Sequence, residues 1–303
     1  MKKEKNIPYG IPSISEQHRL LGLPKPQHPL VSVFDFADVK YEHSQLQEGN
    51  FFLPFYCIAI KKNFKGKFKY GQHYYDFDEG MMSFISPNQV LAISDESATE
   101  GCCLAFHPDF LANYALGKTI RNYGFFSYAL NEALHLSEKE EQMIMSIFHH
   151  IQQEYSSPID TFSQDVIVSH IEVLLNYSNR FYTRQFITRK NANAGLLANL
   201  ESLLAGYYEA EKMEGIPTVQ YISGKLNISP NYLSDMLKST TGQTTQQHIH
   251  QHLINKAKEI LATTNLSVSE IAYQLGFEYP QSFNKLFKNK TNMSPLQYRE
   301  SFN

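Results

Sequence analysis

The clearest structural pattern in the chain is SVSEIAYQLGFEYPQSFNKLFKNKTNMSPLQYR, at residues 267–299. Its first part is a short amphipathic segment in which Ile271 and Leu275 are four residues apart, as on one face of a helix. Gly276 follows, and glycine can adopt the positive φ that a tight turn needs. Phe277 can then fill the space between two helices. This order is typical of the first helix and the turn of a helix-turn-helix unit.

The second part of the stretch is a longer amphipathic helix. Phe283, Leu286 and Phe287 lie on its apolar side, and the opposite side is polar and begins near Tyr279. A helix presented in this way can enter a major groove about 12 Å wide with its N-terminal half against the base edges. Lysines at the far end would then meet phosphates, which adds affinity without specificity. The stretch therefore predicts a DNA-reading unit.

The same pattern occurs a second time, in residues 222–248. Ile222 corresponds to Ile271 at a separation of 49, and after one extra residue in the second turn the copies continue in register at a separation of 50. Asn227 takes the place of the turn glycine. Two copies in register favour a pair of helix-turn-helix units over a plain helical bundle.

Residues 244–264, which begin at the end of the first copy and lead to the second, indicate a single long helix. A helix of about 18 residues is roughly 27 Å long at 1.5 Å per residue. This is comparable to the pitch of the DNA duplex, about 34 Å, so the spacer could place two reading helices in successive major grooves. His248, His250 and His252 are expected to lie partly exposed on this helix, because no glutamate follows them in the H-E-x-x-H pattern of a zinc site.

The charge of the chain is unevenly distributed. Residues 215–303 hold 8 Lys and Arg against 5 Asp and Glu, while the remainder holds 19 against 25, for a net charge of −3 overall. A basic segment on an acidic chain is typical of a nucleic-acid module attached to another domain.

Residues from about 195 to 301 resemble the DNA-binding domain of AraC-type (AraC/XylS) transcription regulators, and residues 267–299 match the signature of that family nearly throughout. The resemblance implies a sequence-specific, non-enzymatic transcription regulator that binds double-stranded DNA and works with RNA polymerase. It also implies that the exposed start of each second helix contacts DNA. With the lysines at the helix ends, the candidate DNA-binding residues are Asn231, Ser234, Asp235, Lys238, Pro280, Gln281, Ser282, Lys285 and Lys288.

These candidate side chains differ in what they can read. Gln281 suits adenine by bidentate hydrogen bonding, and Lys285 suits guanine or a phosphate. Asp235 could accept a hydrogen bond from cytosine N4, or it could weaken its half of the interface. Two further residues depart from the family pattern: Leu253 stands where many relatives have arginine, and Asn292 replaces a glycine, although asparagine tolerates the left-handed conformation.

The N-terminal part of the chain has a different pattern. From Val31 to about Leu111, short segments rich in aromatic and β-branched residues are separated by turn residues, which favours an antiparallel sandwich or barrel. The resemblance implies a cupin-like β-barrel here, which binds a small effector or mediates dimer contacts. The expected fold is therefore multidomain α and β: an N-terminal arm (1–30), a cupin-like antiparallel β-barrel (31–135), a helical linker (136–190) and an all-α domain of two helix-turn-helix units joined by a long helix (195–303).

The linker is predicted to contain two long amphipathic helices. The first begins with Ser137 as N-cap and Glu140 three residues later, a capping-box arrangement, and Ser157–Pro158 ends it. The two helices could cap the sheet or form the seam of a homodimer, and the width of their apolar stripe favours the seam. The polar, glycine-ended stretch TRKNANAG, residues 188–195, is predicted to be a flexible joint.

Few other residue groups suggest chemistry. His73 has Asp76, Asp78 and Glu79 nearby but lacks an H-x-H pattern, which favours a hydrogen-bonded or surface histidine over a metal ligand. A group of aromatic residues could line a ligand cavity or form the core of the barrel, and we favour the core. Its members are Phe51, Phe52, Phe55, Tyr56, Tyr70, Tyr74 and Tyr75.

Composition narrows the class of protein further. The cysteines Cys57, Cys102 and Cys103 are too few for a disulfide framework, and buried reduced thiols are expected. The sequence contains no apolar run of the roughly 18 residues that would span a membrane and no signal peptide, which predicts a cytoplasmic protein. No catalytic motif or cofactor-binding motif is present. Two alternatives stay open: a regulator without a small ligand that works through protein contacts, and a metal-dependent cupin enzyme fused to a DNA-binding module.

Overall fold

The computed structural model describes residues 8–40, 50–62, 68–70, 73–75, 80–92, 100–158, 160–208 and 215–301. The chain divides into two compact units, Met1–Gln185 and Phe186–Asn303. Within the described ranges, no helix combines the length and the apolar character needed to cross a bilayer.

The N-terminal unit is built on β-sheets. Its strands are β1 (Tyr9–Gly10), β2 (Val31–Asp35), β3 (Asn50–Phe52), β4 (Tyr56–Lys62), β5 (Phe68–Tyr70), β6 (His73–Tyr75), β7 (Met81–Ile85), β8 (Val90–Ala92), β9 (Glu100–Phe106) and β10 (Leu134–His135). Five strands form an antiparallel sheet in the order β10-β7-β4-β9-β2. A second sheet has the order β1-β3-β8, with β1 parallel to β3, and β5 pairs with β6.

The pairings between the described strands do not form a closed ring. Among the described residues, β2 and β10 lie at opposite edges of the five-stranded sheet, and β1-β3-β8 are paired separately from it. The sheet-rich character predicted for this part is therefore confirmed, whereas a closed barrel is not shown.

Strand β4 is buried on both faces of the sheet. The side chains of Cys57 and Ala59 face one apolar cluster, and Ile58 lies opposite Phe84 on the other side. Phe84 packs in turn on Phe125, with ring centroids 4.3 Å apart. A strand covered on both faces reads as a continuous apolar run, which is why residues 56–60 do not alternate.

The N-terminal residues contain regular structure where an irregular arm was expected. Besides β1, helix α1 (Ile14–Leu20) begins at Ser13, whose side chain accepts a hydrogen bond from the Glu16 amide. Ile14 and Leu20 are buried in the core with residues of the large sheet. The expectation failed because the prolines of this region flank the helix and do not interrupt it.

Two long helices cover the sheet. After the short helix α2 (Ala115–Thr119), these are α3 (Glu138–Ser156) and α4 (Ser163–Thr188). The predicted capping box of α3 is confirmed, since Ser137 and Glu140 bond reciprocally. Helix α3 contacts β2, and Lys62 at the end of β4 lies 2.6 Å from Glu141. Of the two roles left open, capping the sheet is therefore observed.

The C-terminal unit is helical. Its helices are α5 (Lys190–Tyr207), α6 (Val219–Leu226), α7 (Pro230–Thr241), α8 (Thr245–Thr263), α9 (Val268–Gln274), α10 (Pro280–Thr291) and α11 (Pro295–Glu300). The joint predicted at residues 188–195 is helical from Lys190 onward, and Arg189 alone separates α4 from α5. Helix α8 has 19 residues, which confirms the single long spacer helix.

Candidate nucleic-acid interface

Both predicted helix-turn-helix units are present. Helices α6 and α7 meet at Asn227, which has a φ of 56°, and α9 and α10 meet at Gly276, which has a φ of 84°. The amide of Ile228 donates to the carbonyl of Ser223 at 3.1 Å, and the amide of Phe277 donates in the same way to Ala272 at 3.0 Å. The two turns therefore close with the same hydrogen bond, as the internal repeat predicted.

The inner faces of the two second helices form the local cores. Leu233, Met236 and Leu237 of α7 are fully buried, as are Phe283 and Phe287 of α10. Because these residues fix which side of each helix faces inward, the opposite side faces solvent.

The solvent-facing side carries three matched pairs of residues. Asn231 corresponds to Gln281, Asp235 to Lys285, and Lys238 to Lys288, at spacings of four and three along each helix. Such spacings place the members of one helix on a single face. Of the candidate DNA-binding residues, the exposed ones are Asn231, Lys238, Gln281, Ser282, Lys285 and Lys288, while Ser234, Asp235 and Pro280 are half-buried.

Ser234 lies in a different environment from the other candidates. Its hydroxyl is 3.0 Å from the hydroxyl of Thr245, which is fully buried at the start of α8. This contact links α7 to α8, so Ser234 has a structural role in this conformation.

Helix α7 is further covered by a residue that the sequence analysis missed. Tyr232 is buried, and its ring packs edge-to-face on Phe186 with centroids 5.1 Å apart. The corresponding position in α10 is Ser282, which is exposed. An aromatic residue in one copy opposite a serine in the other was the available signal of this difference. The first unit therefore offers a narrower polar face than the second.

Helix α10 is the more basic of the two. Lys285, Lys288 and Lys290 are all exposed, and within the described part of the chain none of them forms an ion pair. In α7 the position of Lys285 is occupied by Asp235. An exposed row of lysines is chemically suited to the phosphates of a nucleic acid.

The long helix α8 supports both units. Leu253, at the position where many AraC-type proteins have arginine, is fully buried in the core of the second unit. Asn292 ends α10 with a φ of 62°, which confirms that asparagine takes the left-handed conformation there. Both departures from the family pattern are thus accommodated by the fold.

The three histidines of α8 are half-buried, as expected. Burial lowers the pKa of His248, His250 and His252 below the ordinary value, and nearby Lys290 lowers the pKa of His250 further. The Nε2 atom of His248 lies 2.9 Å from the hydroxyl of Thr241. This contact joins α8 to the end of α7, so His248 stabilises the packing of these two helices.

The remaining predicted groups lie in the N-terminal unit. Asp76, Asp78, Glu79 and the side chain of His73 fall outside the described residues; within them, no cluster of three or more His, Cys, Asp or Glu could hold a metal ion. Of the aromatic group, Phe55 and Tyr56 are buried, Phe51 and Phe52 are half-buried, and the side chains of Tyr70, Tyr74 and Tyr75 lie outside the described part.

The cysteines of this unit are buried and reduced. Cys57, Cys102 and Cys103 are all free. Cys102 donates to Asp35 at 2.8 Å, and burial together with this carboxylate raises the pKa of its thiol to about 12. The expectation of buried thiols is confirmed.

Comparison with known proteins agrees with the geometry of the C-terminal unit. Residues 222–301 match the family model described as a helix-turn-helix domain. The chain is 31% identical over 96 residues to the uncharacterised HTH-type transcriptional regulator YisR of Bacillus subtilis, a match covering 32% of this chain and 33% of that one. It is 25% identical over 140 residues to Histidine kinase P4 of Formosa agariphila, which covers 46% of this chain and 10% of the kinase.

A solved structure is also similar to a part of the chain. The C-terminal domain of the two-component response regulator yesN from Fusobacterium nucleatum is 37% identical, and the match covers 33% of this chain and 98% of that domain with a TM-score of 0.30. The chain spans a third or less of the length of the two curated relatives. The family match and the similarity to one HTH-type regulator support a helix-turn-helix domain in this chain.

Proposed function

We propose that this chain is a sequence-specific DNA-binding transcription regulator of the AraC type. One observation carries the proposal: two helix-turn-helix units in register each present an exposed polar face, with matched amide and lysine side chains at Asn231 and Gln281 and at Lys238 and Lys288. Amides suit adenine, and lysines suit phosphates or guanine.

In the proposed complex, α7 and α10 enter adjacent major grooves. Gln281 reads adenine, Lys285 contacts guanine or a phosphate, and Lys288 contacts the backbone. In the first unit, Asn231 reads adenine and Asp235 accepts from cytosine N4. Exposed Ser282 and the helix start at Pro280 complete the edge of α10 that faces the bases. Because an exposed lysine row supports the second unit and an acidic residue occupies the first, we expect the second unit to supply more of the affinity.

The proposal is tested by selecting binding sites from a random-sequence duplex library with the full chain. A recovered consensus would support it, whereas a library that stays random would refute it. On the recovered site, Gln281→Ala should weaken binding by about 1–3 kcal/mol while leaving binding to random DNA nearly unchanged. Gln251→Ala, at an exposed position of α8, is the matched control. Equal losses on selected and random DNA would contradict the role given to Gln281.

The N-terminal unit is the proposed site of control. A small effector that binds this unit would bias the DNA-competent state, and RNA polymerase would be the downstream partner. A thermal-shift screen of metabolites against the full chain tests the effector. If no compound moves the melting temperature, the alternative of a ligand-free regulator is favoured.

A homodimer is proposed through the outer face of α4. Val166 and Val173 are exposed on this face, and Phe162 is exposed just before the helix begins. With Ser169, these residues follow one another at spacings of four and three, the heptad spacing of packed helices. Val173→Glu should convert a dimer into a monomer in analytical ultracentrifugation. Ser146→Glu, at an exposed position of α3, should not. A monomeric unmodified chain at micromolar concentration would contradict the dimer.

A further inference from the structure

The described residues on either side of positions 209–214, between α5 and α6, pack on the second helix-turn-helix unit. We call this group the brace, defined as Tyr207, Tyr208, Gly215 and Ile216. Tyr208 and Ile216 pack against the apolar core that α8, α9 and α10 share. Residues that precede the first unit in the chain therefore contact the second one directly.

The closest part of this contact is between two glycines. Gly215 has a φ of 81° and Gly276 a φ of 84°. A Cβ placed on Gly276 would lie 2.5 Å from the carbonyl carbon of Gly215 and 2.6 Å from its oxygen. Since both atoms belong to the backbone, a side chain at Gly276 requires the brace to move. The turn of the second unit is thus in direct van der Waals contact with the chain that leads into the first.

The two tyrosines of the brace, Tyr207 and Tyr208, connect it to α6 and α8. The hydroxyl of Tyr207 donates to the carbonyl oxygen of Gly215 at 3.0 Å, and its ring packs edge-to-face on Tyr221 of α6 with centroids 5.3 Å apart. Tyr208 stacks on His252 of α8, with ring centroids 5.8 Å apart and planes 17° from parallel. The brace therefore contacts α6 of the first unit, the spacer helix, and the turn of the second unit.

We propose that the brace fixes the placement of α10 relative to α7, and that it thereby sets the separation of the two DNA segments that the protein reads. Helix α8 joins the units covalently and packs on both of them, through Thr245 against α7 and through Leu253 in the core of the second unit. The brace adds a second connection between the two units, from α6 to the turn at Gly276, that is independent of α8. The fixed placement of α10 relative to α7 is a property of the protein alone, whereas the role in spacing DNA segments rests on the proposed function.

Gly276→Ala is the variant that separates the brace from the turn. It adds a methyl group at a positive φ and overlaps the backbone of Gly215. Gly242→Ala is its matched control, because Gly242 has a φ of 76° and open space where its Cβ would stand. Both variants carry the same conformational strain, and one of them disturbs the brace.

A second pair of variants tests the brace if Gly276→Ala does not fold. Tyr207→Phe removes the hydroxyl that holds Gly215 and keeps the ring on Tyr221. Tyr273→Phe removes a hydroxyl from an exposed ring of α9 and serves as its control. If circular dichroism shows that Gly276→Ala is unfolded, the comparison of these two variants decides.

The first measurement uses no DNA. Nitroxide labels at Thr240→Cys in α7 and Asn289→Cys in α10, both exposed positions, report the distance between the reading helices by double electron–electron resonance. The three native cysteines are buried. We expect one narrow distance peak, which is lost or broadened in Gly276→Ala and Tyr207→Phe and kept in both controls. A narrow peak in the folded brace variants, or an equal broadening in the controls, would overturn the proposal.

The second measurement uses the random-sequence duplex library with the full chain. The unmodified protein should recover two sub-motifs at one fixed separation, and the brace variants should recover them at several separations. A single separation in folded brace variants would overturn the role in spacing. If the unmodified protein recovers no motif, the proposed function fails, and the distance measurement still judges the brace by itself.

Discussion

Lys288→Ala tests whether α10 meets the phosphate backbone. Lys288 is exposed in the last turn of α10, and within the described residues no acidic side chain is paired with it. A lysine that neutralises one phosphate releases one condensed counterion, so its removal should reduce the slope of log affinity against log salt by about 0.9. Between 50 and 200 mM salt, the unmodified protein should therefore lose about 3.5-fold more affinity than the variant.

The assay is fluorescence anisotropy with a labelled random-sequence duplex over a series of salt concentrations. It needs no knowledge of the target site, because the phosphate contribution is independent of sequence. The control is Lys256→Ala. Lys256 lies on α8, half-buried, with its Nζ 3.0 Å from Glu259. Since this lysine already has an acidic partner, its removal should leave the slope nearly unchanged.

Two results would refute this reasoning. If Lys288→Ala leaves the salt slope unchanged, Lys288 does not contact a phosphate. If Lys256→Ala reduces the slope by the same amount, the effect belongs to net charge and not to the position on α10.

Four further variants test the structural roles assigned to individual residues. Ser234→Ala should lower the free energy of unfolding by about 1 kcal/mol in urea melts, because the hydroxyl bonds to Thr245, and it should leave the salt slope intact; a changed slope at full stability would make Ser234 a DNA contact. Tyr208→Phe should keep this free energy or raise it by about 1 kcal/mol, since the hydroxyl is buried and has no hydrogen-bond partner among the described residues; a loss of stability would contradict this. Phe283→Ala should lower it by about 3–5 kcal/mol, and an unchanged melt would argue against the observed core. Burial lowers the pKa of His18, so the folded unit binds a proton at this imidazole less readily than the unfolded chain does. The free energy of unfolding therefore decreases as the pH falls below about 6.5. In His18→Gln, this decrease between about pH 7.5 and 5.5 should be smaller than in the unmodified protein.

The C-terminal unit could be predicted from the sequence because its structure is largely local. Each helix-turn-helix unit spans about thirty residues, and its apolar spacing, turn residue and caps all lie within that window. The repeat doubled the information, since Asn227 and Gly276 occupy equivalent positions and both adopt a positive φ. The same locality explains the confirmed capping box at Ser137.

What the sequence did not predict are the contacts between residues far apart in the chain. Whether Ser234 faces DNA or Thr245 depends on how α8 packs on α7, which amphipathic periodicity does not report. Tyr232 is buried because Phe186, which precedes it by 46 residues in the chain, covers it. In the N-terminal unit, Ile14 and Leu20 lie within a proline-rich segment, and their burial depends on a sheet formed later in the chain.

The difference between the two reading helices follows from these distant contacts. Periodicity alone treats α7 and α10 as equivalent, since both bury their apolar side and both begin with proline. Packing then removes Tyr232 and the hydroxyl of Ser234 from the exposed face of α7, while α10 keeps exposed Ser282 and its row of lysines. A helix with fewer exposed polar groups and an acidic residue gains less binding free energy from contacts with DNA phosphates. In the proposed complex, such a helix therefore contributes to binding when the rest of the domain fixes its position. If α7 and α10 read DNA as proposed, a rigid connection between the units matters more in this chain than in one with two equally basic helices.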